Sequence, residues 1–263
     1  MKKTIIFSLI LLLFAGALCY GVVQLRDLQD EIASLREEAK HDNAMIAKIF
    51  ALQQQSRLDS RPHNVLCIGN SITLHRPSDK VNWHSCCGMA ASKPEYDYCH
   101  MLEKMMRQHN SRTTVTPVNI AAWERNFELS LDSLLREPCK GKDIIVIRLS
   151  ENVRKSDIDK FRESLPRLVE YCLEQTPNVV ITGTYWANRQ KEQVILECAQ
   201  RYNLRYVSLG WIWRLHREEC CPKVGDTLYN TEGKPYQIEG KFIITHPNDR
   251  GMEMIARSIY NIL

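Results

Sequence analysis

The sequence lacks the residue patterns of a metal site. Its ten cysteines include no C-x-x-C pair and show no cysteine–histidine spacing typical of zinc. It also lacks any run of lysine or arginine, since 35 basic residues are interspersed with 31 acidic ones and the net charge is +4. This distribution argues against nucleic acid as the main partner. We predict no metal and no cofactor.

Nine of the cysteines lie beyond the N-terminal apolar segment, an odd number that leaves at least one thiol unpaired in a monomer. Most are interpreted as small buried hydrophobic residues. The alternative is one or two disulfides, for example within the adjacent pairs Cys86–Cys87 and Cys220–Cys221. Both interpretations stay open at this level.

Charge is absent from residues 4–23. As a helix this segment would rise about 30 Å, the thickness of a bilayer core. Lys2 and Lys3 precede it and favour a cytoplasmic N-terminus. We predict that residues 1–23 are an uncleaved, single-pass signal anchor in the cytoplasmic membrane, with the remainder exported to the periplasm or cell surface. The alternative is a cleaved signal peptide and secretion.

A heptad-like pattern follows the apolar segment. Apolar residues recur three to four positions apart within residues 24–56, with charged residues between them. This pattern predicts a coiled-coil-like helical stalk that could form a homodimer, the alternative being a lone solvated helix. The polar stretch 57–63 contains Pro62 and is predicted to be a linker. The folded domain is expected over 64–263.

Short apolar runs alternate with longer helical patterns in this domain. Buried parallel strands are predicted at 65–68, 113–120, 143–148, 178–184 and 205–208. Helices are predicted at 98–108, 127–136, 156–174 with Ser156 as N-cap, 189–202 and 251–263. The alternation predicts right-handed βαβ units and a doubly wound, flavodoxin-like α/β parallel sheet. Ligands bind such sheets beyond the carboxyl ends of the strands.

Three segments carry candidate chemistry, two directly after predicted strands and one in the loop that opens the last helix. Ser71 follows the first strand, at a turn where helix N–H groups can face a developing negative charge. Asn152 follows the third strand and could aim an N–H at an oxyanion. His246 precedes the last helix. Each residue taken alone is equally typical of a cap, a turn or the surface, so the hypothesis depends on the three together.

The order and spacing of these segments resemble the SGNH/GDSL hydrolase family over about residues 64–263. The family's first block is similar to Gly69-Asn70-Ser71-Ile72-Thr73, its third to Ser150-Glu151-Asn152, and its last to His246-Pro247-Asn248-Asp249-Arg250-Gly251. The stretch 69–100 resembles a subgroup of exported bacterial members. The resemblance implies a doubly wound α/β hydrolase that acts on an ester.

The resemblance also implies residue roles. Ser71 would attack the ester carbonyl and His246 would accept its proton. The backbone N–H of Ser71 and the side chain of Asn152 would hold the oxyanion. A third donor would be the backbone N–H of Ala121, which stands where the family has a glycine.

One position departs from the family pattern. The family's triad acid lies three residues before the histidine, where this chain has Ile243. We predict either a Ser–His dyad held by a backbone carbonyl, or an acid from elsewhere, for which the candidates are Glu151, Asp226 and Glu239. Asp249 is predicted to cap the last helix.

Aromatic residues in the predicted loops suit the stacking of sugar rings, although core packing is the alternative. They are Trp83, His84, Trp123, Tyr185, Trp186, Trp211 and Trp213. The expected activity is therefore hydrolysis of an O-acetyl or other acyl ester on a carbohydrate. The alternatives are a membrane-anchored O-acyltransferase of envelope glycans and a catalytically degenerate glycan-binding module.

Overall fold

The computed structural model of the chain describes a continuous domain and four isolated earlier positions. The described residues are 63–263 together with Gln29, Arg36, Lys40 and Arg61. The predictions of an anchor, a stalk and a linker concern residues that, apart from His63 and those four positions, are outside this set. Within the described set, no helix has the length and apolarity needed to cross a membrane.

A five-stranded parallel sheet forms the centre of the domain, in the order β2-β1-β3-β4-β5. The strands are β1 (Asn64–Gly69), β2 (Thr114–Asn119), β3 (Ile144–Ile147), β4 (Val179–Thr182) and β5 (Arg205–Val207). Each overlaps a predicted strand, so the predicted doubly wound parallel sheet is confirmed. Pro117 is tolerated in β2 because β2 is an edge strand, where a missing N–H costs no ladder bond on the open side.

Seven α-helices connect the strands or follow them in the described part of the chain. They are α1 (Tyr98–Met106), α2 (Ala121–Arg125), α3 (Leu131–Cys139), α4 (Ile158–Gln175), α5 (Arg189–Arg201), α6 (Gly210–Cys220) and α7 (Asp249–Tyr260). Helix α7 packs against α1 and α6, while α4 packs against α3 and α5. These two groups flank the sheet and account for the continuous burial of β3 and β4.

Some predicted boundaries were wrong. The helix expected at 127–136 begins later, as α3 at Leu131, because Ser130 caps it by accepting from the N–H of Ser133 at 3.2 Å. The short helix α2, which ends at Arg125, was not predicted. Ser156 lies inside a short 3₁₀ helix, Lys155–Asp157, and does not cap α4. Helix α6 and the antiparallel hairpin of β6 (Thr227–Tyr229) and β7 (Pro235–Gln237) were not predicted.

The start of α7 differs from the prediction as well. Asn248 is the cap, since its side chain accepts from the N–H of Gly251 at 3.1 Å. Asp249 is the first helical residue, and its two carboxylate oxygens accept from the backbone N–H and the hydroxyl of Ser92, both at 2.6 Å. These two hydrogen bonds connect the start of α7, next to His246, to the long segment that follows Ser71.

The nine cysteines of the domain are free thiols, and seven of them are buried. Cys86 is exposed and Cys221 is partly exposed. This agrees with their interpretation as small core residues. The alternative of a disulfide within either adjacent pair is wrong for this structure.

Candidate active site

The sheet order reverses between β1 and β3, because the chain adds β2 on one side of β1 and then β3, β4 and β5 on the other. Beyond the carboxyl ends of these two neighbouring strands, the helices that follow them leave toward opposite faces and open a crevice. The segment containing Ser71 follows β1, and the segment containing Asn152 follows β3. The topology thus places two of the three predicted segments side by side.

The turn that carries Ser71 is tightly built. The carbonyl of Asn70 accepts from the N–H groups of Thr73 and Leu74 at 2.9 and 3.0 Å. Gly69 is required at the end of β1, since a Cβ there would lie 1.8 Å from the hydroxyl oxygen of Thr73. The carbonyl of Ser71 accepts from the N–H of Met89 at 2.8 Å, so the backbone is held on both sides of the serine.

His246 lies within hydrogen-bond distance of Ser71, although the two residues are 175 positions apart in the chain. The Oγ of Ser71 is 3.0 Å from Nε2 of His246. The other ring nitrogen, Nδ1, is 3.1 Å from the backbone carbonyl oxygen of Phe242. A carbonyl oxygen can only accept, so Nδ1 carries the hydrogen and Nε2 presents its lone pair to the serine hydroxyl. This is the tautomer that a general base needs.

The environment of His246 is apolar. The side chain is fully buried, and burial lowers its pKa to about 4, against the smaller opposing effect of the Phe242 carbonyl. The ring of Trp186 meets the imidazole edge-on, with the centroids 5.2 Å apart, and Nε1 of Trp186 donates to the carbonyl of Thr245 at 2.7 Å. The ring of Phe242 lies at the same centroid distance of 5.2 Å. His246 is therefore neutral at neutral pH and held on several sides.

No carboxylate of the described residues contacts the imidazole. Ile243 is fully buried, and its backbone carbonyl accepts from the N–H of His246. Asp226 accepts from the N–H of Lys223. Glu239 is exposed, and Glu151 is bound to Arg148. Of the two arrangements that the sequence left open, the structure has the histidine held by a backbone carbonyl.

The three predicted oxyanion donors have different partners. Among the described residues, no acceptor takes the backbone N–H of Ser71. The N–H of Ala121 donates to the side-chain oxygen of Asn119 at 2.8 Å. The side-chain nitrogen of Asn152 donates to Glu124 at 2.6 Å. Ser71 and Asn152 thus keep hydrogens for a further acceptor, whereas the Ala121 N–H is already engaged.

A buried polar cluster lies beneath these segments, and it was not predicted. Arg148 is fully buried and donates to Glu151 through Nη1 at 2.8 Å and Nη2 at 3.2 Å. Its Nη2 also donates to the side-chain oxygen of Asn70. The side-chain nitrogen of Asn70 in turn donates to Glu151 at 2.6 Å and to Glu124 at 3.2 Å. The residue before Ser71 is thereby fixed by three charged groups.

The two carboxylates of this cluster titrate in opposite directions. Burial, reinforced by the nearby charge of Glu151, raises the pKa of Glu124. Burial also acts to raise the pKa of Glu151, but the charge of Arg148 and several hydrogen bonds lower it below its usual range. The sequence carried only a weak signal, in that Arg148 and Glu151 closely follow the buried strand β3, whereas Glu124 lies on α2, far away in the chain.

The aromatic residues divide between core and rim. Trp83, Trp123 and Tyr185 are buried and belong to the core, as the packing alternative expects. Trp186 is partly exposed and lies against His246. Trp213 packs edge-on against Tyr185 and is also partly exposed. In the described part of the chain, no group of three or more histidine, cysteine, aspartate or glutamate side chains is arranged to hold a metal ion.

No protein-family model matches the chain, and neither does any curated protein. Solved structures do match it. A two-domain esterase active on acetylated mannans matches at 20% identity and a TM-score of 0.50, over 82% of this chain and 51% of that one. A protein assigned to the G-D-S-L lipolytic family from Desulfitobacterium hafniense matches at 12% identity and a TM-score of 0.45, over 76% and 99% of the two chains. The psychrotrophic esterase EstA from Pseudoalteromonas sp. matches at 13% identity and a TM-score of 0.49, over 76% and 96%.

The likeness to the two-domain esterase is one of fold, and this chain spans about half of that esterase's length. It confirms the doubly wound α/β fold that the sequence resemblance implied. The roles of Ser71, His246 and Asn152 stay predictions that the geometry makes testable.

Proposed function

We propose that this chain, which has the fold of the SGNH/GDSL esterases, is a serine esterase with Ser71 as nucleophile and His246 as general base. One observation carries the proposal. Nε2 of His246 is 3.0 Å from Oγ of Ser71 while Nδ1 is 3.1 Å from a backbone carbonyl, so the ring has the correct tautomer and orientation without a carboxylate.

The reaction follows from this geometry. Oγ of Ser71 attacks the carbonyl carbon of the ester while its proton passes to Nε2 of His246. The tetrahedral intermediate collapses, the bond to the leaving alcohol breaks, and that alcohol receives the proton from Nε2. Water then attacks the acyl carbon with His246 as base, the bond from that carbon to Oγ of Ser71 breaks, the carboxylic acid leaves, and Oγ regains a proton from Nε2. The Phe242 carbonyl carries no full charge, so it stabilises the transient imidazolium less than an aspartate would.

The negative charge of the intermediate forms on the former carbonyl oxygen. The backbone N–H of Ser71 and one N–H of the Asn152 side chain are the donors we assign to it. The Ala121 N–H is left out of this assignment because it donates to Asn119.

An acyl ester on a carbohydrate is the substrate class that we propose. The solved structure with the highest TM-score quoted above is an esterase that acts on acetylated mannans. The partly exposed Trp186 ring beside His246 offers an apolar face next to the reacting atoms, which suits the C–H face of a sugar.

Covalent labelling tests the nucleophile directly. A fluorophosphonate probe is expected to label the protein, with peptide mapping placing the adduct on Ser71, and Ser71→Ala should abolish the label. The same variant should lower kcat for an activated acetate ester by about 10³-fold or more. Ser78→Ala is the matched control, since Ser78 is another loop serine, and it should label like the wild type. An unlabelled wild type, or full activity in Ser71→Ala, would refute the esterase.

The pH dependence tests the base. Only neutral His246 can accept the serine proton, so activity should be full above the pKa of His246 and fall as the pH drops through it. Because burial lowers that pKa to about 4, the acid limb of kcat/KM should lie near pH 4. An unperturbed histidine would give a limb near pH 6.5.

The measurement is kcat/KM for an activated acetate ester between about pH 3.5 and 8. Far-UV circular dichroism at each pH should confirm that the fold persists, since the buried neutral histidine also costs stability. As the pH falls, His246 binds a proton at about pH 6.5 in the unfolded chain but only at about pH 4 in the folded chain. The free energy of unfolding therefore decreases as the pH drops from about 6.5 to about 4. A half-maximal rate near pH 6.5 with an intact fold would contradict the assignment of His246.

A further inference from the structure

Both ends of the Asn152 side-chain amide are held by two consecutive residues of α2. Nδ2 of Asn152 donates to Oε2 of Glu124 at 2.6 Å. Oδ1 of Asn152 accepts from Nη2 of Arg125 at 2.8 Å. A carboxylate can only accept and a guanidinium can only donate, so one orientation of the amide satisfies both partners. The pair therefore determines where the amide nitrogen points.

This arrangement leaves one hydrogen of the amide available. The nitrogen carries two hydrogens and Glu124 takes one of them. Among the described residues, no other acceptor takes a hydrogen from Nδ2 of Asn152. The remaining N–H is the one that an oxyanion could use, and its direction follows from the two contacts to α2.

Glu124 also organises the turn that carries Asn152. It is only 1% exposed, and its Oε1 accepts from the backbone N–H of Ser150 at 2.5 Å and of Asn152 at 3.4 Å. Ser150 has a φ of 107°, a conformation that favours glycine and is strained for serine. The carbonyl of Ser150 accepts from Nζ of Lys191 at 2.7 Å. A strained turn persists only where its surroundings hold it, and Glu124 supplies one of these contacts.

Resting on the esterase proposed above, we propose that Glu124 and Arg125 are positioning residues that act through Asn152. They touch no reacting atom. They hold the amide of Asn152 so that its free N–H faces the developing oxyanion. Loss of an oxyanion donor lowers kcat by about 10²- to 10³-fold, and misplacing that donor should cost a part of this.

A double-mutant cycle separates action through Asn152 from independent effects. Asn152→Ala should lower kcat by about 10²-fold or more with KM little changed. Glu124→Gln should lower kcat by about 10-fold or more, because its amide nitrogen would face Nδ2 of Asn152 and turn that side chain away. Glu124→Gln combined with Asn152→Ala should be no worse than Asn152→Ala alone. Multiplied losses in the double variant would overturn the proposal.

Two further variants keep the test decisive. Arg125→Met removes the other contact from an exposed position, so it should fold even where Glu124→Gln does not. It should also lower kcat with KM unchanged, and its effect should likewise vanish in the Asn152→Ala background. Glu128→Gln is the matched control, an exposed carboxyl four residues after Glu124, and should behave as the wild type. Wild-type kcat in both Glu124→Gln and Arg125→Met would overturn the proposal.

An NMR measurement that needs no catalysis tests the positioning of Asn152 separately from the proposed esterase activity. In ¹H–¹⁵N spectra, the side-chain amide of Asn152, identified by its absence in Asn152→Ala, should show one downfield and slowly exchanging proton bound to Glu124. That signal should be lost in Glu124→Gln and preserved in Glu128→Gln. An Asn152 amide unchanged in Glu124→Gln defeats the positioning role even if the protein proves to have no esterase activity. Absence of Ser71 labelling defeats the esterase alone.

Discussion

Replacing His246 with alanine is expected to lower kcat for an activated acetate ester by about 10³-fold or more, with a much smaller change in KM. The variant removes the group that accepts the Ser71 proton, while the serine and its turn keep their own hydrogen bonds to Met89 and Asn70. The residual rate should come from the oxyanion donors and from substrate binding. Steady-state kinetics with the purified chain measure the changes in kcat and KM, and the rate of fluorophosphonate labelling reports the reactivity of Ser71.

Variants that should leave kcat nearly unchanged test whether a backbone carbonyl, and not a carboxylate, holds the imidazole of His246. Phe242→Ala keeps the backbone carbonyl that holds Nδ1 and removes a half-exposed ring that packs on one side of the imidazole, so kcat should stay within about 10-fold of the wild type. Asp226→Asn and Glu239→Gln remove two carboxylates that the sequence alone left as candidate acids, and both should match the wild type within about 3-fold. A loss of 10³-fold in either carboxylate variant would mean that an acid reaches His246 during turnover.

Arg148→Met is expected to destabilise the domain more than any surface change. It leaves the carboxylate of Glu151 buried without its cation and removes donors from Asn70. Breaking a buried ion pair by removing one partner costs about 3–5 kcal/mol. For a domain of about 200 residues each kcal/mol corresponds to about 2–4 °C, so thermal unfolding should fall by about 10 °C. Calorimetry or circular dichroism measures the shift.

A matched variant and a double variant sharpen this prediction. Arg136 pairs with Asp132 on the surface of α3 with 71% of its side chain exposed, so Arg136→Met should shift the thermal unfolding temperature far less than Arg148→Met does. Adding Glu151→Gln to Arg148→Met neutralises the stranded carboxylate and should recover much of the lost stability. Equal shifts for Arg148→Met and Arg136→Met would show that the buried pair contributes no more than an exposed one.

Much of the domain could be predicted from local patterns. Continuous apolar runs are typical of strands covered on both faces, and the run Ile144–Ile147 within the strand predicted at 143–148 forms β3. The helix predicted at 189–202 corresponds to α5, Arg189–Arg201. Boundaries failed where side chains compete with the backbone for hydrogen bonds. Ser130 caps α3 and so sets its start after the predicted one, and Asn248 takes the cap that Asp249 was expected to supply.

The candidate site also has one part that local sequence patterns predicted and one part that they did not. Gly69-Asn70-Ser71 is a local signal, since a glycine and a serine at a strand-to-helix turn have a meaning within a few residues. The buried cluster of Arg148, Glu151 and Glu124 had no comparable signal. A charged residue in a sequence is interpreted as exposed unless its partners are known, and here Glu124 on α2 is distant in the chain from Arg148 and Glu151.

By itself the sequence determined the alternation of the five parallel strands with five of the helices, the residue that follows each of those strands, and the absence of an acid three positions before His246. These depend on periodicity and on neighbours in the chain. Tertiary structure decided that residues 71 and 246 meet, that a backbone carbonyl holds the imidazole, and that α2 orients Asn152. The physical reason is that hydrogen bonds between loops depend on distances of about 3 Å, which only the packed sheet and helices define.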